Sequence, residues 1–393
     1  MKGFTFGYGG RTGDYLKTET YESFDELCKV GINWIALAFD IRIAKSDSLE
    51  IRYDFNRDLS DYEIGKMVET AHAKGIKVCL KPMINSKDHT WRAHINFWDD
   101  EGAWAKWFYE YTCFMLHYAR VARQTGCEML CLGCEMLGME KHEEHWRALI
   151  EKVRAEYDGL LTYNTNHGHE RDAKWYDAID VIGTSGYFPV EKEPGADYAT
   201  MLENWKTVVD ELHDISAQWN KPIVFMEAGC RSARGCAMMP WDYMRRDFPA
   251  DEDEQAYFYS SLVDAFAGED WFYGVFWWDW SPKLPDVNRP GYASDFSIYG
   301  IVITSMARTL KAGNGYTYTV TVDAPASAGI PSSATLEVSE VTQEDLGYDA
   351  YLSQVAQAVG LGDVVDDLGG VRLFDISLID GEGRNVQPQA PVS

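Results

Sequence analysis

Short apolar runs alternate with longer segments of helical periodicity along the first 280 residues of the chain. The short runs are rich in β-branched and aromatic residues and are bounded by polar or glycine-containing segments, which is typical of buried strands. Eight strands are predicted on this basis, at 3–8, 33–38, 76–81, 128–134, 160–164, 179–184, 222–227 and 273–279.

Helical segments separate most of these strands and are predicted at 60–74, 101–125, 143–157, 197–218 and 252–267. The first of them begins with Ser60 as a cap and ends at Gly75, and the last has an acidic first turn that suits the helix dipole. Strands that alternate with helices favour a parallel α/β architecture, and eight of them favour a (β/α)₈ TIM barrel over an open sheet. The lack of a G-x-G-x-x-G motif after the first strand argues against a dinucleotide-binding fold.

The composition changes near residue 300. All 14 tryptophans lie between Trp34 and Trp280, and residues 301–393 are acidic and rich in small residues. Alternating patterns at 316–322 and 371–376 predict half-exposed strands, and 344–359 has a helical pattern. We therefore predict a barrel domain at 1–312 followed by a small acidic, β-rich α+β module at 313–393. The sequence does not reveal a role for this module.

Charge and cysteine usage narrow the classes of partner and compartment. The net charge of −26 argues against nucleic acid and anionic membrane surfaces as partners. No apolar run is long enough to span a membrane, and the start of the chain lacks the apolar segment of a signal peptide. The eight cysteines lie mostly inside apolar runs and show no disulfide or zinc spacing. These features predict a cytoplasmic protein without a membrane span.

Two glutamates stand where predicted strands end. Glu135 closes the run 128–135 and Glu227 closes the run 222–227. Because the active site of such barrels lies at the carboxyl ends of the strands, the two carboxylates can face each other across a sugar. One can then attack the anomeric carbon while the other protonates the leaving oxygen, which is the chemistry of a glycoside hydrolase. The alternative for each is an ordinary capping or ion-paired glutamate.

The neighbours of the two glutamates suggest different roles for them. Apolar residues after Glu135 are expected to raise its pKa, as a general acid requires. Arg231, four residues after Glu227, is expected to keep that carboxylate ionised for nucleophilic attack. Tyr187, after the sixth strand, can orient the nucleophile, although an isolated tyrosine there is more often a packed loop residue.

Aromatic and polar residues at the same strand ends are candidates for sugar binding. In the eighth strand, period-two alternation places Trp278 and Trp280 on one face, where their rings can stack on the apolar face of a sugar. Further candidates at this rim are Trp91, Arg92, Asn166 and His167. The alternative is that one of the tryptophans of this strand is only a core residue, and that His167 is a hydrogen-bonded structural histidine.

Together with these candidate residues, the sequence of residues 1–300 resembles glycoside hydrolase family 113. The members of this family are retaining barrel enzymes, and the known ones act on β-1,4-mannans. The similar segments are 31–34, 80–82, 91–92, 132–135 with 145–147, 161–163, 182–189, 222–229, 240–241 and 277–280. The resemblance implies Glu135 as acid/base and Glu227 as nucleophile. It also implies retention of configuration, with carboxyl groups about 5–5.5 Å apart.

The chain departs from this pattern in two places. Cys134 occupies the position where the wider clan usually has an asparagine that bonds the sugar 2-hydroxyl. The resemblance ends at Gly300, where the family continues into a last helix that covers the barrel. The apolar segment 301–310 is the only nearby stretch that can cover the eighth strand in its place.

The leading prediction is a retaining glycosidase of β-mannosidic bonds that needs no cofactor, and three alternatives stay open. The first keeps the mechanism and changes the glycan to xylan or glucan. The second is a non-catalytic sugar-binding barrel, which would lack a close carboxylate pair. The third is a metal-dependent barrel hydrolase, which usually requires several His and Asp at the strand ends. That requirement is not met, since the first strand offers no His.

Overall fold

The computed structural model describes residues 1–243 and 249–283, together with the backbone of four strands at 302–310, 316–323, 333–341 and 373–380. Two compact units are distinguished, one that contains residues 1–284 and one that contains 298–393. Each unit is described by itself.

The first unit is a closed barrel of eight parallel strands. They are β1 (Lys2–Phe6), β2 (Trp34–Ile43), β3 (Lys77–Ser86), β4 (Met129–Cys134), β5 (Leu160–Thr165), β6 (Val181–Ser185), β7 (Ile223–Glu227) and β8 (Phe272–Trp280). Each strand pairs with the next, and β1 closes the barrel against β8. The predicted TIM barrel and its eight strands are therefore confirmed.

Seven helices accompany the strands in the described part of the chain. They are α1 (Thr18–Lys29), α2 (Asp61–Ala73), α3 (Glu101–Thr125), α4 (Leu137–Glu140), α5 (Glu143–Glu156), α6 (Tyr198–Trp219) and α7 (Glu252–Ala265). The five predicted helices are all present, whereas α1 and the short α4 were not predicted. None of the described helices is long and apolar enough to cross a membrane.

Side-chain caps define where the predicted helices begin. Ser60 accepts a hydrogen bond from the Glu63 amide, and Glu63 accepts one from the Ser60 amide, so that α2 starts with a capping box. Asp197 caps α6 through the Thr200 amide. Each cap satisfies amides that the first helical turn leaves without a backbone partner.

Apolar side chains fill the barrel and the layer between the strands and the helices. Inside the barrel lie Trp34, Ala36, Cys79, Met129, Cys131, Val181, Val224, Met226 and Phe276. Trp104, Trp107, Trp146, Trp175 and Trp205 are also fully buried, and the rings of Trp146 and Trp175 stack with centroids 4.6 Å apart. Many of the tryptophans are thus buried structural residues that cannot contact a ligand. Candidate ligand-binding residues are therefore sought at the carboxyl ends of the strands.

The second unit contains a four-stranded antiparallel sheet. Its strands are β9 (Val302–Leu310), β10 (Tyr316–Asp323), β11 (Ser333–Val341) and β12 (Leu373–Asp380), in the order β12-β11-β10-β9. The prediction of strands at 316–322 and 371–376 agrees with β10 and β12, while the predicted helix at 344–359 lies outside the described residues. Val302–Leu310 forms a strand paired with β10, not a last barrel helix. The domain boundary at 312 stays a prediction.

Candidate active site

A cleft of about 910 Å³ opens at the carboxyl ends of the barrel strands. Eight of the nine residues predicted for the site line it, namely Trp91, Arg92, Glu135, Asn166, His167, Tyr187, Glu227 and Trp278. Residues that the sequence did not single out for the site also line it, among them Tyr8, Arg42, Asn85, Trp241, Tyr243 and Asp279. The ninth candidate, Trp280, lies elsewhere.

Glu227, the last residue of β7, is held by three donors and is only 3% exposed. Lys81 Nζ donates to its Oε1 at 2.6 Å, the Tyr187 hydroxyl donates to Oε2 at 3.1 Å, and the Cys134 thiol lies 3.2 Å from Oε1. Burial by itself would raise the pKa of Glu227, but the positive charges of Lys81 and Arg92 hold that pKa below its usual value. Glu227 is therefore an ionised carboxylate at neutral pH.

Lys81 rather than Arg231 provides the charge beside Glu227. Lys81 is fully buried in β3, and its pKa stays above the usual lysine value because nearby acidic groups outweigh the effect of burial. Arg231 is also buried, but its Nη1 has no hydrogen-bond partner among the described residues. The expectation that Arg231 ionises Glu227 is corrected in this respect.

Glu135 follows β4 in a left-handed backbone conformation, with φ of 51°. Its Oε1 accepts a hydrogen bond from Ser185 Oγ at 2.8 Å, and its Oε2 lies 3.0 Å from Arg92 Nη2 and 3.3 Å from Trp91 Nε1. Burial, reinforced by the negative charge of Glu227, raises the pKa of Glu135, although Arg92 opposes this shift. The two glutamates thus have pKa values displaced in opposite directions, as a donor and a nucleophile require.

Arg92 and Cys134 bridge the two carboxylates. Arg92 Nη2 lies 3.2 Å from Cys134 Sγ and 3.0 Å from Glu135, while the same sulfur lies 3.2 Å from Glu227. Burial raises the pKa of Cys134 well above its usual value, so the group is a thiol that can donate to Glu227.

A second, fully buried chain of hydrogen bonds joins the same carboxylates through β5 and β6. From Glu227 it runs through Lys81 to Asn164 Oδ1 at 3.3 Å, from Asn164 Nδ2 to Ser185 Oγ at 2.9 Å, and from Ser185 to Glu135. The positions of the two carboxylates are therefore coupled. A change in the position of one carboxylate would disturb the side chains that hold the other.

Aromatic side chains form two walls of the cleft. Trp278 lies against Tyr8, with ring centroids 4.6 Å apart, and Lys81 Nζ stands 5.8 Å from its ring. On another wall Trp241, which is 40% exposed, stacks on His167 with centroids 4.8 Å apart. Burial lowers the pKa of His167 to about 4, so this stacked pair is uncharged at neutral pH. Such surfaces suit the apolar faces of sugar rings.

Trp280 is a core residue, which corrects its assignment as a sugar-binding residue. It is 4% exposed, its indole N–H donates to Ser23, and its ring packs edge-on against Phe4. The cause is an irregularity in the β1–β8 pairing, where Phe4 pairs with Trp277 but Phe6 pairs with Trp280. The extra residue in β8 breaks the period-two alternation, so Trp278 and Trp280 no longer share a face.

Several site residues could be recognised only in part from the sequence. Lys81 stands inside an apolar run, where a buried lysine is rare and signals a paired charge. Asn164 and Ser185 lie at the ends of their strands, which also marks them as candidates. Tyr8 ends the strand predicted at 3–8, and Trp241 belongs to segment 240–241 of the family resemblance, but neither was singled out for the site. Among residues 1–243 and 249–283, no group of three or more His, Cys, Asp or Glu side chains is arranged to hold a metal ion.

Comparisons with known proteins give consistent findings. A family model described as Glycoside Hydrolase Family 113 matches residues 4–301. A β-mannanase of that family from Alicyclobacillus acidocaldarius, solved in complex with ManMIm, is 40% identical with a TM-score of 0.68, over 76% of this chain and 92% of that one. A β-1,4-mannanase of the family is 33% identical with a TM-score of 0.69, over 76% and 94% of the two chains. No curated protein matches the sequence.

Proposed function

The chain belongs to glycoside hydrolase family 113, and from this premise we propose that it hydrolyses β-1,4-mannosidic bonds in mannan or manno-oligosaccharides. The observation that supports this most directly is the pair Glu135 and Glu227, whose pKa values are shifted in opposite directions in one cleft. The substrate class rests on the solved relatives, which are β-mannanases.

The reaction proceeds by double displacement. Glu227 attacks the anomeric carbon, the bond from that carbon to the leaving oxygen breaks, and Glu135 gives its proton to the departing sugar. Glu135 then takes a proton from water, whose oxygen attacks the anomeric carbon and releases Glu227. Lys81 and Tyr187 hold Glu227 ionised and oriented before the first step, and they stabilise the carboxylate again when the second step releases it.

Substrate binding is assigned to the aromatic walls and to the polar residues between them. Trp278 with Tyr8 and Trp241 with His167 offer two stacking surfaces, and Trp91, Arg92 and Asn166 line the same cleft. Cys134 stands where the clan asparagine would contact the sugar 2-hydroxyl, and its thiol is directed to Glu227 instead.

Substitution of the two glutamates tests the mechanism. Glu227→Gln is expected to abolish turnover, because an amide cannot form the glycosyl ester. Glu135→Gln is expected to lower kcat/KM for mannohexaose by about 10²–10⁴-fold, the usual contribution of general acid catalysis, and to affect 2,4-dinitrophenyl β-mannoside much less. The second substrate has a leaving group that needs little protonation.

A control at the other end of the same strand is provided by Glu128→Gln. Glu128 contacts His72 and the Val78 amide, away from the cleft. Equal losses on both substrates would remove Glu135 from the acid role, and wild-type turnover by Glu227→Gln would overturn the assignment.

A substrate screen separates mannan from the other glycans. The purified protein is assayed on mannohexaose, xylohexaose and cellohexaose, and the highest kcat/KM is expected on mannohexaose. Preference for xylohexaose or cellohexaose would keep the mechanism and replace the substrate. A location in the cytoplasm and the lack of nucleic-acid binding stay predictions, which cell fractionation and a nucleic-acid binding assay test.

A further inference from the structure

We propose that Tyr163 and Glu140, which lie behind the cleft and line no part of it, are positioning residues for the acid/base Glu135. The inference rests on the proposed role of Glu135. It concerns the backbone turn that carries this carboxyl group out of β4 and into the cleft.

The turn at Glu135 adopts a conformation that L-residues other than glycine seldom adopt. Its φ of 51° lies in the left-handed region, which costs energy for a side chain with a Cβ and persists only where neighbouring groups hold it. Two successive amides anchor it to β5. The Glu135 N–H donates to Asn164 O at 2.7 Å, and the Met136 N–H donates to the Tyr163 hydroxyl at 3.0 Å.

The Tyr163 hydroxyl connects this turn to Glu140. It accepts the hydrogen bond from Met136 and donates to Glu140 Oε1 at 2.8 Å, and Thr165 Oγ1 donates to the same oxygen at 2.9 Å. Tyr163 is fully buried and Glu140 is 1% exposed. Since Glu140 ends α4, this network joins both ends of the segment 136–140 to β5.

Gly133 and the tryptophan layer fix the position of this network. A Cβ at Gly133 would stand 2.9 Å from the Tyr163 ring, so the glycine leaves room for the ring beside β4. The Trp175 indole N–H donates to the Glu140 carbonyl at 3.1 Å, and the Trp146 indole N–H donates to the Met139 carbonyl at 3.0 Å. The α4 backbone is thus held from behind, and the Tyr163 hydroxyl transmits that rigidity to the turn.

Loss of the Tyr163 hydroxyl should therefore move Glu135 rather than unfold the barrel. The Met136 amide would lose its only acceptor among the described residues, and Glu140 would keep a single donor on Oε1. A buried amide without an acceptor is unfavourable, and the turn can relax to relieve this cost. A displacement of about 1 Å in a catalytic group can reduce the rate about 100-fold.

The test compares substrates that differ in their need for the acid. For Tyr163→Phe we expect kcat/KM on mannohexaose to fall by about 10–100-fold, while kcat/KM on 2,4-dinitrophenyl β-mannoside changes little. Azide should accelerate turnover of the aryl substrate by Tyr163→Phe. As a nucleophile that needs no base, azide replaces the water that a displaced Glu135 activates poorly. Glu140→Leu should behave in the same way, and Glu140→Gln should lose less because its amide oxygen can still accept from Tyr163.

The matched control is Tyr157→Phe. Tyr157 is a buried tyrosine whose hydroxyl donates to the Cys127 carbonyl at 2.7 Å, before β4 begins, so it should show no difference between the substrates. Equal losses on both substrates, or the same pattern in Tyr157→Phe, would overturn the inference. Thermal unfolding of each variant identifies a folding defect. If Tyr163→Phe fails to fold, Glu140→Leu carries the test, with the milder Glu140→Gln as its comparison.

The outcomes also separate this inference from the proposed function. The positioning role alone would be overturned by one set of results. In it the wild type is active and Glu135→Gln affects mannohexaose more than the aryl mannoside, but Tyr163→Phe and Glu140→Leu show no such difference. A wild type without activity on any of the glycans would overturn the proposed function and the positioning role together.

Discussion

Lys81 and Glu227 show how one buried pair determines the protonation state of the proposed nucleophile. The ammonium group of Lys81 has no exposed surface, and it lies 2.6 Å from a carboxylate that is nearly as deeply buried. Removal of either charge from such a pair leaves the other uncompensated in a low-dielectric environment, which is costly. The catalytic charge of Glu227 and the local stability of the site therefore depend on the same contact.

A pH profile of the wild type and of Lys81→Met tests this dependence. Glu227 acts as a carboxylate with a lowered pKa, so activity should be lost as the pH falls through that pKa. Glu135 acts as an acid with a raised pKa, so activity should be lost as the pH rises through it. Without Lys81 the pKa of Glu227 should rise, which moves the acidic limb to higher pH and lowers kcat at neutral pH on the order of 100-fold.

Lys77→Met is the control for this prediction, because Lys77 lies at the other end of β3 and is exposed. Its acidic limb should match that of the wild type. An unchanged acidic limb in Lys81→Met would show that Arg92 alone suffices to ionise Glu227.

At the scale of the element, β8 carries both a cleft tryptophan and a core tryptophan because its pairing with β1 is irregular. Trp278 lines the cleft beside Tyr8, and Trp280 packs against Phe4 and Ser23. The position of a single extra residue thus determines which indole can meet a sugar.

Alanine substitution distinguishes the two tryptophans. Trp278→Ala is expected to weaken sugar binding by about 1–2 kcal/mol, seen as a higher KM for mannohexaose with little change in the unfolding temperature. Trp280→Ala is expected to lower stability by about 3–5 kcal/mol through the cavity it leaves, with nearly unchanged kinetics in the folded enzyme. If Trp280→Ala instead raised KM and left the stability unchanged, Trp280 would be a sugar-binding residue.

At the scale of the whole molecule, the residues proposed for catalysis all belong to the barrel unit. The family model ends at residue 301, and the solved relatives are matched over more than nine-tenths of their length by 76% of this chain. The strand Val302–Leu310 pairs with Tyr316–Asp323 in the second sheet. The chemistry is therefore expected to reside in residues 1–301.

Truncation tests this division. A chain that ends at Ile301 should keep the kcat/KM of the full chain on mannohexaose, since it contains every described residue that lines the cleft. A chain that ends at Asn314 should be less soluble, because β9 would then present an edge without β10. The sequence alone predicted 301–310 as a cover for β8. A folded, inactive monomer ending at Ile301 would assign the second unit a part in the active site.

The sequence by itself determined the barrel and the position of its two glutamates. Strand length, helical periodicity and caps such as Ser60 are local properties, so the order of the elements followed from the chain. Because parallel strands in a barrel bring their carboxyl ends to one face, Glu135 and Glu227 could be placed together without coordinates.

Only the tertiary structure decided which side chains meet those glutamates. Lys81 is 146 residues from Glu227 along the chain, and no local pattern encodes that contact. Tyr187, which is 40 residues from Glu227, could be expected there only because it follows the sixth strand. Arg231 was expected beside Glu227 because it is near in sequence, and Trp280 was expected in the cleft because strands usually alternate. Both expectations failed for the same physical reason: strand pairing and side-chain packing between distant segments, rather than nearness along the chain, determine which groups lie within hydrogen-bonding or stacking distance.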